Sequence, residues 1–379
     1  MSATAAFGAD HSSKIKVGLI GCGQRGVWLA ELFRTSGHFE VVGVADYFQD
    51  RAEAAAAKLE VPTKASFAGL DGYKRLIGTG NLEAIAIVSP PYFHPEQAAA
   101  AVDAGLHTWV AKPVAVDVPG CRSIEASGKK ATQNNNVFLV DFQTRADPFY
   151  QEAIKRVHAG ALGDIAFGES YYHAGRLQTQ ADPGPGEATL KNWVFDKKLS
   201  GDIITEQNIH TLDVMNWIMQ APPLRATGTG GRKARVDVGD CWDHFALNFE
   251  YPNQVGITFS SRQFNGHGSI PDGIVNRVFG SQGVLETKYG GNVMIRGKQF
   301  YRGGKSPRIY EDGVKTNIEA FYQAIAIKDS SNPTLAPSIE SNLVTILGRT
   351  AAYTGKTVTW EELMNDEAQL QPDLSSLKA

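Results

Sequence analysis

The chain has little cysteine. Cys22, Cys121 and Cys241 are the three thiols in 379 residues, too few and too scattered for a disulfide framework or a zinc cluster. Cys241-Trp242-Asp243-His244 places a thiol and an imidazole close together, but it reads as part of a strand rather than a metal pair, so no metal is expected. No apolar run approaches the roughly 18 residues of a membrane span. There is no basic run either, and 37 basic against 40 acidic side chains leave a net charge of −3, which gives no reason to expect nucleic acid as a partner. Internal repeats and low-complexity tracts are also missing. A hydrophobic content of 42% and a charged content of 20% fit a globular chain with a well-buried core. Its length suits about two domains.

What is present begins at Lys16-Val17-Gly18-Leu19-Ile20-Gly21-Cys22-Gly23-Gln24-Arg25-Gly26, where a strand, a Gly-x-Gly-x-x-Gly turn and a helix follow one another. A second apolar strand ends in Asp46, 20 residues past the third glycine. Each part has a task in holding a dinucleotide. Gly21 permits the tight turn, and Gly23 lets the backbone approach a pyrophosphate. Gly26 lets the helix pack on the strand, its N-terminal N–H groups aimed at the phosphates. Asp46 accepts hydrogen bonds from a ribose diol and repels a 2′-phosphate, so the expected cofactor is NAD rather than NADP.

Ahead of this strand, Ala3-Thr4-Ala5-Ala6-Phe7-Gly8-Ala9 is a string of small residues followed by a polar stretch. Two readings stand side by side. One is the tail of an export signal without its basic and apolar regions, which puts the protein in the periplasm or outside the cell. The other is a disordered leader on a cytoplasmic protein.

Between residues 15 and 140 apolar strands alternate with helical patterns. Strands read at 16–20, 40–45, 84–88, 107–110 and 137–140, with helices at 27–34, 49–59, 95–104 and 120–131. This alternation predicts a doubly wound parallel sheet with right-handed crossovers, an N-terminal Rossmann domain over 14–142. Ligands then sit outside the carboxyl ends of its strands. Ser89-Pro90-Pro91 and Ala111-Lys112-Pro113 both follow strands and lie at that rim. The candidate cofactor contacts are therefore Gly21, Cys22, Gly23, Gln24, Arg25, Gly26, Asp46, Ser89, Pro90, His94, Lys112 and Pro113.

After about Asp141 the period changes to two. Phe245, Leu247, Phe249 and Tyr251 alternate with Ala246, Asn248 and Glu250, and Val255, Ile257 and Phe259 repeat the pattern. Further strands read at 165–172, 225–230, 274–279, 283–287 and 292–295, and helices at 316–327 and 337–353. Residues 143–379 thus form a second α/β domain with a largely antiparallel, open sheet. Pro183-Gly184-Pro185-Gly186 reads as a mobile surface loop, and Asn192-Trp193 follows it.

A second chemical signal lies in 199–217. On one helix, Glu206, His210, Asp213 and Trp217 fall at i, i+4, i+7 and i+11, a single stripe of carboxylate, imidazole, carboxylate and indole. Histidine titrates near neutrality and suits removal of a hydroxyl proton while hydride leaves the same carbon. A capped amphipathic helix with a satisfied histidine explains the stripe as well. Tyr172, His173 and Trp193 add aromatic faces and an imidazole of the kind that sugars use, and with Asp213 they are the candidate substrate contacts. Arg145, at the domain junction, reads either as a group facing the site or as a structural ion-pair partner.

Together these motifs resemble the glucose–fructose oxidoreductase/inositol dehydrogenase family (Gfo/Idh/MocA) over about 14–363: the glycine turn, a Lys-Pro after the fourth strand named above, and an acid four residues before a histidine. The resemblance implies a Rossmann domain followed by an α/β domain whose open sheet often forms an oligomer interface, here a homodimer or tetramer. It implies NAD(P)-dependent oxidation or reduction of a secondary alcohol on a sugar or cyclitol. Lys112 takes the place of the family's active-site lysine, Glu206 that of its aspartate and His210 that of its catalytic histidine. Two departures stand out. The family's Glu-Lys-Pro is Ala111-Lys112-Pro113, and its Asp-x-Gly-x-His is Glu206-Gln207-Asn208-Ile209-His210. The longer Glu206 and the added Asn208 amide are expected to alter the pocket floor. This variant looks similar to exported, little-characterised members, and to relatives that keep NAD bound and use transient oxidation to cleave glycosides.

The sequence therefore predicts an NAD-dependent carbohydrate oxidoreductase, with Lys112, His210 and Glu206 as the catalytic set. A glycosidase or lyase with hidden redox, and a non-catalytic NAD- or sugar-binding regulator, are the alternatives.

Overall fold

The computed structural model describes residues 14–379; the small-residue string at 3–9 lies outside them. Its elements run β1 (Ile15–Ile20), α1 (Gln24–Thr35), β2 (Phe39–Asp46), α2 (Gln49–Leu59), β3 (Ser66–Ala68), α3 (Gly72–Ile77), β4 (Ala84–Ile87), α4 (His94–Asp103), β5 (His107–Ala111), α5 (Val118–Gln133) and β6 (Phe138–Asp141) in the first half. The six strands are all parallel, in the order β3-β2-β1-β4-β5-β6. The order reverses between β1 and β4, and that switch opens a crevice at the carboxyl ends of the strands. Strands buried on both faces need continuous apolar runs, as Ala84-Ile85-Ala86-Ile87 provides. The short β3 and α3 give no such run and were not legible in the sequence.

The second half holds α6 (Pro148–His158), β7 (Ile165–Ala174), α7 (Glu187–Lys191), α8 (Lys197–Ser200), α9 (Asp202–Glu206), α10 (Ile209–Met219), β8 (Arg225–Gly231), β9 (His244–Tyr251) and β10 (Val255–Gln263). It continues through β11 (Gly273–Gly280), β12 (Gly283–Lys288), β13 (Asn292–Gly297), β14 (Tyr301–Lys305), α11 (Ile309–Ala326), α12 (Leu335–Thr354), β15 (Val358–Thr359) and α13 (Trp360–Met364). Nine strands form one sheet, β14-β13-β12-β11-β7-β10-β9-β8-β15. Only the central β7–β10 pair is parallel. The period of two read from β9 and β10 is what the sheet uses: Phe245, Leu247, Phe249, Tyr251, Val255, Ile257 and Phe259 are all buried. The other face stays open and carries the stacked Phe167 and Phe279 rings. Among the described residues no helix is long and apolar enough to cross a membrane.

The chain then returns to the first sheet. Val314, Ile318 and Phe321 of α11 join the apolar cluster of β1, β2 and α1. The two halves are thereby tied together, and the crevice becomes a cleft between them.

Candidate active site

Backbone constraints shape the nucleotide end of the cleft. Gly21 has φ +93°, and a Cβ on Gly26 would lie 1.8 Å from the Gly21 carbonyl oxygen. Neither position tolerates a side chain, which is why the turn must be glycine there. A Cβ on Gly23 would meet nothing, because that space is the cleft itself. Asp46 ends β2 with Oδ2 accepting from the Cys22 N–H at 2.7 Å and Oδ1 from the Phe48 N–H at 2.9 Å. These donors fix the carboxylate at the cleft wall and oppose the burial that pushes its pKa up. A void of about 670 Å³ runs from Gly21 and Asp46 past Arg51 and Tyr73 to Ser89 and Pro90, closed on the far side by Leu190 and Trp193 of the second half. Turn, acid and open space together fit a dinucleotide.

A second void of about 960 Å³ continues from Gly23, Ser89 and Trp193 to the reaction end. Gln24, Arg25, Gly26, Lys112, Pro113, Gln143, Tyr172, Glu206, Gln207, His210 and Tyr310 line it. Lys112 Nζ donates to the Glu206 backbone oxygen and lies 3.2 Å from its Oε1. Burial pulls the ammonium below its ordinary range, and Glu206 pulls it back up. His210 is held well below its ordinary pKa by burial, reinforced by the charges on Lys112 and Arg25. Its Nδ1 is buried without a partner, and its ring tilts against Tyr289 at 5.7 Å. The cleft thus holds a neutral imidazole beside an ammonium paired with a carboxylate. That set can take a hydroxyl proton and stabilise the oxygen left behind.

Several expectations need correction. The 199–217 segment is not one helix: it breaks at Gln207 and Asn208, between α9 and α10. The break puts Gln207 in the cleft wall, while the Asn208 side-chain amide is buried without a hydrogen-bond partner and is absent from the lining. Asp213 does not reach the cleft. It is fully buried, accepting from Arg145 Nε at 2.9 Å and from Ser341 at 2.7 Å, with Trp217 under the guanidinium at 5.1 Å. Arg145 is therefore a structural ion-pair partner. His173 faces away too, because neighbours on a strand point to opposite faces: Tyr172 enters the cleft and His173 bonds Ser260 and the Pro271 carbonyl. Cys22 is buried, its thiol donating to the Ala45 carbonyl, so its part is the backbone N–H that holds Asp46.

His94 touches the cleft edge but spends its ring elsewhere, 2.7 Å from the Ser89 carbonyl and 2.9 Å from that of Pro113. Burial pulls its pKa down to about 4, while the contacts to these two carbonyls pull it back up. It latches the loop after β4 to the loop after β5. Arg25 is likewise engaged, donating to Asp141 at 2.7 Å and to Tyr310 at the start of α11. The sequence reading missed Arg51, Tyr73, Leu190, Gln207 and Tyr310. Of these, Gln207 stood between two motif residues and was open to discovery; the others carry no local signal.

Comparison with known proteins identifies the family and the fold. Residues 15–142 match the model of an oxidoreductase family with an NAD-binding Rossmann fold, and 150–286 match the GFO/IDH/MocA C-terminal domain. The chain belongs to the GFO/IDH/MocA family. Residues 15–142 are an NAD-binding Rossmann domain. A scyllo-inositol 2-dehydrogenase (NAD(+)) of Bacillus subtilis is 26% identical over 57% of this chain and 57% of that enzyme. A glycosyl hydrolase family 109 protein of Streptomyces niveus is 26% identical over 51% of this chain and 39% of that protein. The chain spans little more than half the length of the first curated GFO/IDH/MocA relatives it matches. A levoglucosan dehydrogenase in complex with NADH and levoglucosan superposes with a TM-score of 0.71 at 19% identity, over 92% of this chain and 99% of that one, which shows a shared fold.

Proposed function

We propose that the protein oxidises or reduces a secondary hydroxyl of a sugar, glycoside or cyclitol, using NAD held in the cleft. The observation that carries this reading is that Lys112, Glu206 and His210 line one void continuing from the nucleotide end, with the His210 Nδ1 buried and unpartnered. Bound NAD supplies the hydride acceptor or donor. Gly21 to Gly26 and Asp46 would hold it, with Ser89, Pro90 and Pro113 along its path. His210 takes the hydroxyl proton as its carbon is oxidised and returns it in reduction. Lys112 hydrogen-bonds the same oxygen and offsets the charge that develops there. Glu206 sets the position of Lys112 and offers its free carboxylate oxygen to a neighbouring hydroxyl. Tyr172 and Trp193 supply surfaces on which a sugar ring stacks.

The likeness to glycosyl hydrolase family 109 proteins supports a second reading, in which the net reaction is glycoside cleavage and no reduced cofactor accumulates. One experiment separates the two. Purified protein is denatured and its released NAD quantified, and the native protein is assayed on sugars and glycosides with no cofactor added. A simple dehydrogenase turns over only with added NAD in proportion to product. Glycoside turnover by protein-bound NAD alone identifies the hidden-redox reaction, and neither activity on the panel contradicts the proposal.

A further inference from the structure

The nucleotide end has a wall that the glycine turn does not foretell. Phe48, Leu190 and Leu199 form a small apolar cluster apart from the two main cores, with Trp193 and Leu377 packed on it. Leu377 belongs to a stretch without helix or strand that follows α13 and runs back over the first half. Arg122 tethers its start through the Met364 carbonyl and Glu367. The Leu370 N–H then donates to Asp117 at 2.8 Å, and the Lys378 carbonyl accepts from the Leu70 N–H at 3.0 Å. Leu70 itself lines the nucleotide void.

Tyr47 joins this stretch to the second wall element. It directly follows Asp46, its hydroxyl donates to Glu187 of α7 at 3.0 Å, and the same oxygen accepts from the Lys378 N–H at 3.3 Å. Lys191, one turn along α7, lies 5.1 Å over the Phe48 ring, with Arg51 4.7 Å from that ring as well. Both wall elements thus close on the two residues after the ribose-binding acid.

We infer that α7, which lends Leu190 to the nucleotide void, and residues 367–378, packed behind it through Leu377, form a strap at the adenosine half of the NAD site that must lift before the cofactor enters or leaves. The stretch is suited to lifting. Leu370, Leu374 and Leu377 are only half-buried, and a handful of hydrogen bonds secure it, so it opens at far lower cost than the core. Two walls from distant parts of the chain also couple cofactor release to the distance between the halves. The inference rests on NAD binding alone and holds for either reaction above.

The test uses NADH as the probe and reads its binding and release by fluorescence. Three proteins are compared with the full chain: one ending after Gln369, Tyr47→Phe and Leu377→Ala. A gate slows entry and exit together, whereas a simple contact slows exit alone. The shortened chain should therefore bind and release NADH roughly tenfold faster, with a smaller change in affinity, and the two point variants about threefold faster. Rates within twofold of the full chain in all folded variants would overturn the proposal. So would faster release with unchanged entry, which marks an ordinary contact. If the shortened chain does not fold, the two point variants decide.

Discussion

The two ends of the cleft are made of different materials. The grip at the nucleotide end is mostly backbone from one sheet: a positive φ at Gly21, no room for a Cβ at Gly26, and two N–H groups on Asp46, while side chains such as Arg51, Tyr73, Leu190 and Trp193 complete the wall. The reaction end is mostly side chains from both halves. Lys112 comes from the rim after β5, Glu206 and Gln207 from a break between two helices, Tyr172 from the second sheet and Tyr310 from a helix that returns to the first. Backbone conformation is dictated by neighbours in the chain, so the glycine turn and its acid are written in one short stretch of sequence, 21–46. Side chains meet through tertiary register, so the second end is spread from residue 23 to residue 310.

This contrast can be attacked where it is sharpest, at the residue that sequence periodicity misassigned. Asp213→Asn removes one partner of a buried ion pair and should cost about 3 kcal/mol in a denaturant melt while leaving NADH affinity and sugar KM unchanged. A stable Asp213→Asn protein with a raised KM would put Asp213 back in the cleft. Lys112→Ala should lower turnover on the order of 10², about 2.7 kcal/mol, with NAD affinity little altered. Loss of NAD affinity without loss of turnover would make Lys112 a nucleotide residue instead. At the other end, NAD should bind roughly tenfold tighter than NADP, about 1.4 kcal/mol. Arg51 lines the same void, so Asp46→Ala should shift preference toward NADP, and equal affinities in the unaltered protein would remove Asp46 from its role.

The smallest effect is in pH. A His210 held neutral needs no deprotonation before it acts as base. Oxidation kcat/KM should stay level from pH 8 to about 6.5, the ordinary histidine value, and fall only below it. Reduction needs the imidazolium and should weaken as pH rises. The three depressed histidines, His94, His107 and His210, have the same sign in stability. The unfolded chain takes up protons near pH 6.5 that the folded one refuses, so stability falls as pH drops from 6.5 to the His94 value of about 4. A low-pH limb of oxidation that begins above pH 7 would contradict the neutral base.

How legible each part was follows from the same contrast. The parallel sheet, the alternation of β9 and β10 and the place of Asp46 at the end of β2 all come from local patterns. A helical stripe from Glu206 to Trp217 also looked local, but the helix breaks at Gln207 and Asn208, and on the second helix Asp213, three residues beyond His210, is held out of the cleft by Arg145 and Ser341. Tyr172 and His173 could not both face a sugar, and only the register of β7 against β10 and β11 says which one does. Arg25 lies in the most legible motif of the chain, yet its partners Asp141 and Tyr310 are more than 100 residues away. No window of sequence shows that pairing.

The central claim is that His210 moves the proton of the hydroxyl whose carbon exchanges hydride with NAD. The most direct measurement mixes NAD-loaded His210→Ala with a panel of cyclitols, sugars and glycosides and follows the appearance of reduced nicotinamide against the unaltered protein. The account predicts hydride transfer slowed on the order of 10² or more, with the NAD content per chain unchanged. Near-normal reduction by His210→Ala would contradict it and leave the histidine a purely structural part of the cleft.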